Sequence, residues 1–167
     1  MNDKKKETLF FLTKLLALST PLYLILWLGI DLSFLQEIVT RVIYSFLNLT
    51  GTPAERYGFS IVFRDFSFYI SKDCTGWKGM LFLMALIIST KSTWKKRLVG
   101  FTVGLPAFFS FNLLRILFMI WVGLSNPVIF YLLHEVLWQL SMIMAVLVLW
   151  LMWARLDINN LKNRKNS

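Results

Sequence analysis

Long apolar runs, separated by clusters of basic residues, limit what this chain can fold into more than any other feature. The hydrocarbon core of a bilayer is about 30 Å thick and takes about 20 helical residues to cross. Residues 9–30, 98–124 and 128–153 each supply such a run. A shorter run, 74–90, follows a polar segment and is expected to be a further span, the second in chain order. Hydrophobic residues make up 57% of the 167, whereas soluble domains average about 45–50%. The length suits one domain, so residues 1–167 are read as a single membrane-embedded domain.

The formal net charge is +9. Such a balance would suit nucleic acid if the charges formed one patch, but here they cluster between apolar runs, as in positive-inside loops. Lys4, Lys5 and Lys6 precede the first run; Lys91, Lys95, Lys96 and Arg97 precede the third; Arg155, Lys162, Arg164 and Lys165 follow the last. These are eleven of the 18 basic residues, and they share one side only if four segments cross with both termini cytoplasmic. Residues 31–73 would then be extracytoplasmic, and 154–167 a cytoplasmic basic tail. No nucleic-acid partner is expected. The first run is long for the apolar part of a signal peptide and lacks a clear small-residue cleavage site, so an uncleaved signal anchor is expected.

In the outer segment, residues 32–49 carry apolar side chains at helical spacing with Gln36, Glu37, Thr40 and Arg41 interleaved. This predicts an amphipathic helix lying on the membrane. Beyond it, Phe59, Ile61 and Phe63, then Phe66, Phe68 and Ile70, alternate with other residues on either side of Arg64-Asp65. That pattern predicts a short β-hairpin. Asn48-Leu49-Thr50 is a glycosylation sequon, a triplet frequent by chance. The expected fold is thus an all-α polytopic membrane protein with about four transmembrane helices, an outer amphipathic helix and a short β-hairpin.

Cys74 and His134 are the sole cysteine and histidine, and Arg115 lies within an apolar run. Cys74 is 17 residues before Lys91, Arg115 is 18 after Arg97, and His134 is 21 before Arg155. At 1.5 Å per residue these are roughly 26, 27 and 32 Å, one common depth near the outer edge of the hydrocarbon. Each residue also has a plain structural reading. A lone cysteine is usually a small buried hydrophobe, a lone histidine often a hydrogen-bonded packing group, and an arginine near a helix end can reach back to the interface.

The chemical reading makes Cys74 a thiolate nucleophile at a helix entry, with Gly76 leaving room for a peptide backbone. His134 would act as general base and then as acid to the leaving amine. Tyr131 and Trp138 share its face, able to pack the ring or contact substrate. Arg115 would stabilise an oxyanion, with Asn112, one turn earlier, holding the guanidinium or the substrate. His134-Glu135-Val136-Leu137-Trp138 has Trp where a zinc-protease motif needs its second His. One cysteine rules out an internal disulfide framework and a CxxC metal site, and no metal or other cofactor is expected.

The ordered set Cys74-Thr75-Gly76, Asn112-Leu113-Leu114-Arg115 and His134 resembles the exosortase/archaeosortase family, polytopic membrane cysteine transpeptidases with sortase-like chemistry. The resemblance spans roughly Lys72 to Leu140. It implies Cys74, Arg115 and His134 as catalytic residues, with Thr75, Gly76 and Asn112 in support. It implies, as partners, exported proteins whose C-terminal signal has a short motif, a hydrophobic helix and a basic tail. Cys74 would form a thioester, resolved by a lipid amine or by water. The competing expectation is a non-enzymatic membrane assembly subunit that uses Arg115 and His134 to pair with a partner helix. Serine proteases, zinc proteases and intramembrane aspartyl proteases fit less well for want of their motifs.

Overall fold

A computed structural model of the chain describes residues 3–165, with side chains described for 5–126, 128–130 and 139–156. Two compact units emerge, one of residues 1–30, 78–108 and 144–167, the other of 31–77 and 109–143.

The first unit is helical. It holds α1 (Asp3–Trp27), nearly all of α3 (Trp77–Ser89), α4 (Trp94–Val99), the start of α5 (Leu105–Ser125) and the C-terminal part of α6 (Pro127–Lys165). A π-helical turn, Gly100–Gly104, joins α4 to α5. Pro106 explains it: proline has no N–H to offer the Thr102 carbonyl four residues back and clashes with it, so the turn widens. Lys5–Trp27, Trp94–Ser125 and Gln139–Leu156 are long and apolar enough to cross a membrane. α3 is apolar but has 13 residues, about 20 Å of helix.

Aromatic side chains knit this unit. Gly79 has no Cβ because the Phe108 ring occupies its place, and Phe11 stacks on Trp150 at 6.3 Å. Near the basic residues, side chains donate to backbone carbonyls of other segments. The Trp153 indole donates to the Lys96 carbonyl (2.9 Å), Arg97 to the Thr90 carbonyl (3.2 Å) and Lys96 to the Leu156 carbonyl (2.9 Å).

The second unit packs α2 (Ser33–Leu49) and a three-stranded antiparallel sheet with parts of α5 and α6. Asp31 opens α2 by accepting hydrogen bonds from the Ser33 amide (2.9 Å) and hydroxyl (2.8 Å). Val39, Ile43 and Leu47 recur at helical spacing and enter a core with Ile61, Phe63, Phe68, Ile70, Ile116, Met119 and Ile120. Gln36 and Thr40 fall at the same helical spacing and lie on this same buried face, despite their polar side chains. Their hydrogen bonds make burial tolerable: Gln36 donates to the Ile70 carbonyl (2.9 Å) and Thr40 to the Gln36 carbonyl (2.6 Å).

The predicted hairpin forms as β2 (Ser60–Val62) and β3 (Ser67–Tyr69) about the Arg64-Asp65 turn. A further strand, β1 (Glu55–Tyr57), pairs with β2. Gly58 (φ +58°) makes the β1–β2 turn; with no Cβ it enters the left-handed region without penalty. Phe59, expected in a strand, belongs to this turn. Glu37 of α2 accepts from Arg41 (2.6 Å) and from Arg56 of β1 (2.5 Å), so one carboxylate ties helix to sheet. Those two guanidinium groups hold the Glu37 carboxyl below the usual range. The architecture agrees with the expected polytopic helical protein, with one strand more than expected.

Candidate functional site

The Cys74 segment is a compact device of its own. β3 continues through Ile70 into Ser71, which is extended (φ −71°, ψ 166°) and precedes a single 3₁₀ turn, Lys72–Thr75. The Cys74 amide donates to the Ser71 carbonyl (3.0 Å), and the Ser71 hydroxyl and Cys74 thiol share a hydrogen bond at 3.1 Å. Thr75 donates its hydroxyl to the Lys72 carbonyl (2.8 Å), so it closes the turn that carries the cysteine. Gly76 follows at φ +77°, in the left-handed region, and α3 begins only at Trp77. Cys74 therefore lies in the turn ahead of α3 and not within its first turn.

Asn112 joins this turn to α5. Its amide nitrogen donates to the Cys74 carbonyl (2.9 Å) while its amide oxygen accepts from Arg115 Nη2 (2.9 Å). Asn112 is fully buried, and both bonds use the two ends of one amide. A helical residue and the one three positions on share a face, so Asn112 and Arg115 bond within α5 without distortion. Gly76 makes the approach possible. A Cβ there would stand 3.1 Å from Asn112 Cγ and 3.3 Å from Met142 Cε. The space left by the missing side chain, read from sequence as room for a peptide, is filled by Asn112 and Met142.

Cys74 packs in the apolar core at 2% exposure, and Arg115 is 8% exposed. A carbonyl carbon reaches the Cys74 sulfur only by displacing the side chains packed on it. Of the candidate residues, Cys74, Thr75, Gly76, Asn112 and Arg115 thus come together. His134, Tyr131 and Trp138 are in α6, and their side chains lie outside the described residues.

Ser71, Gln36 and Met142 touch or brace the site, and sequence reasoning did not single them out. Ser71 had a usable signal, since three residues is the 3₁₀ repeat that sets its hydroxyl beside Cys74. Among the described residues no group of three or more His, Cys, Asp or Glu side chains could hold a metal ion.

The fold and the joined Cys74, Asn112 and Arg115 define a helical membrane protein with a cysteine-bearing turn bridged to an arginine of a candidate membrane span. The family model for transmembrane exosortases (Exosortase_EpsH) matches residues 4–153. The chain belongs to that family and is a membrane protein. No curated protein and no solved structure matches it.

Proposed function

We propose that this exosortase is a membrane-embedded cysteine protease and transpeptidase that cleaves the C-terminal sorting signal of exported proteins. The observation that carries the reading is the hydrogen-bond chain from the Cys74 carbonyl through Asn112 to Arg115. It couples two of the three motifs by which the sequence resembles the family, through a buried side chain that packing alone does not require.

In this reading His134 takes the thiol proton and Cys74 Sγ attacks the scissile carbonyl carbon. Arg115 stabilises the negative charge that develops on sulfur and then on oxygen. Collapse of the tetrahedral intermediate breaks the C–N bond, His134 returns the proton to the leaving amine, and a thioester remains. An amine, of a lipid or another acceptor, or water then attacks the thioester carbonyl and frees the thiol. The released piece is the hydrophobic helix with its basic tail.

Both termini are cytoplasmic in this proposal, and Cys74 acts at the extracytoplasmic face. The three basic clusters, all on one side when four segments cross, support that topology.

The burial of Cys74 favours one other reading, a non-enzymatic membrane assembly subunit in which Arg115 and His134 pair with a partner helix, since a packing cysteine needs no access. Cys74→Ala separates the two. Co-expressed with a substrate bearing a tripartite C-terminal signal, the variant should insert normally and leave the substrate uncleaved. Normal processing by the variant, with a partner lost on Arg115→Leu, would establish the subunit reading instead.

A further inference from the structure

The two edges of the small sheet differ. In an antiparallel pair, residues alternate between bonding their partner strand and turning their backbone groups away from it. The Ile70 amide donates to the Phe59 carbonyl (2.9 Å) and the Phe63 amide to the Phe66 carbonyl (2.8 Å). Phe66, Phe68 and Ile70 therefore face β2 with their backbone, and Ser67 and Tyr69 turn theirs to the outside. β3 ends the strand order β1-β2-β3, and among the described residues no other strand pairs with it. Its outer edge offers two N–H and two C=O groups, with no charge and no proline to blunt them. The opposite edge, on β1, turns out only the backbone of Arg56, whose side chain is tied to Glu37 and to the Gly58 carbonyl (3.1 Å).

The open edge leads straight to the candidate nucleophile. Ser71 is two residues beyond Tyr69, extended, with its hydroxyl 3.1 Å from Cys74 Sγ. Two extended residues cover about 7 Å. A strand laid along β3 would thus bring a carbonyl to the level of the sulfur two residues past its contact with Tyr69. The geometry points to β3 as the docking edge for the processed polypeptide: the extended segment beside the scissile bond adds to the sheet as a fourth strand, through the backbone of Ser67 and Tyr69. This inference rests on the reading of Cys74 as nucleophile. Recognition through main-chain hydrogen bonds suits this occupant, because every peptide segment carries the complementary groups, and side chains at alternate positions remain free to set preference. It also suits a sulfur at 2% exposure, since an incoming strand can displace the packing beside the turn.

The test uses the full-length chain in membranes with a co-expressed tripartite-signal substrate. Tyr69→Pro deletes one outward N–H, and a proline there leaves the β2 pairing intact because that pairing uses Phe68. Losing a hydrogen bond of this kind corresponds to about a tenfold fall in processing. Tyr69→Ala, which keeps the N–H, should stay within about twofold. Equal loss in both variants would assign the effect to the side chain and overturn the proposal. So would undiminished processing by Tyr69→Pro where Cys74→Ala is inactive, a result that leaves the nucleophile reading standing. Processing by Cys74→Ala would instead remove the reading beneath it. Should Tyr69→Pro fail to accumulate, a photo-crosslinking residue at Ser67 decides. Capture of the substrate segment next to its cleavage point is expected in an inactive Cys74→Ala background, and capture of only a second copy of this chain overturns the proposal.

Discussion

Both units use the same device, a side chain that satisfies a backbone carbonyl on another element, but they use it on different residues. In the helical unit the donors are Trp153, Arg97 and Lys96, and they meet the Lys96, Thr90 and Leu156 carbonyls near the basic clusters. Such bonds tie α4 to α6 and to the end of α3, and their chemistry ends there. In the unit with α2 and the sheet, the donors are Gln36 and Asn112, both buried, and their targets are Ile70 and Cys74. The first of these carbonyls precedes the turn that holds the cysteine, and the second belongs to it. One unit spends its polar contacts on tying helices together, the other on fixing a five-residue stretch of backbone. A buried amide is costly unless fully bonded, so Asn112, with both ends engaged, is the contact most in need of a reason beyond stability.

That contrast can be broken by substitution. The largest effect after loss of Cys74 itself is expected at Asn112. Asn112→Leu leaves the Cys74 carbonyl and the Arg115 guanidinium without this partner, at about 1.5–3 kcal/mol for a hydrogen bond involving a charged group. Processing should fall roughly 10- to 100-fold while membrane insertion persists, as read by substrate cleavage against protease protection. Unchanged cleavage would reduce the Asn112 bridge to packing.

Gly76→Ala should come next. Its Cβ would crowd Asn112 at 3.1 Å, and φ +77° costs an L-residue about 1–2 kcal/mol. Thermal unfolding in detergent should shift down by several degrees and cleavage should fall with it. A variant with normal stability and normal cleavage would show that the turn relaxes without consequence.

The smallest effect is expected in the other unit. Trp153→Phe removes the indole bond to the Lys96 carbonyl and should lower stability by about 1 kcal/mol with no change in cleavage. A loss of cleavage matching that of Asn112→Leu would erase the difference between the two regions.

The apolar runs and basic clusters were legible in sequence because the bilayer imposes a rule on each segment separately, whatever its neighbours. The family match over residues 4–153 bears out the resemblance to exosortases stated from the sequence. The β2–β3 hairpin was legible from its period of two. β1 was not, because Glu55-Arg56-Tyr57 has no apolar alternation and exists as a strand only by pairing with β2. The burial of Gln36 and Thr40, read only as polar residues interleaved in α2, was not legible, because composition cannot tell a solvated amide from one bonded to a distant carbonyl.

The site divides in the same way. Sequence by itself determined which residue types were present, their order and their spacing along the helices, since a helix converts residue number directly into length. Only the tertiary structure decided that Asn112 turns toward the Cys74 carbonyl, that Gly76 makes room for Asn112 and Met142, and that Ser71 meets the sulfur. These depend on rotation about a helix axis and on the close approach of segments 38 residues apart, which no local spacing encodes.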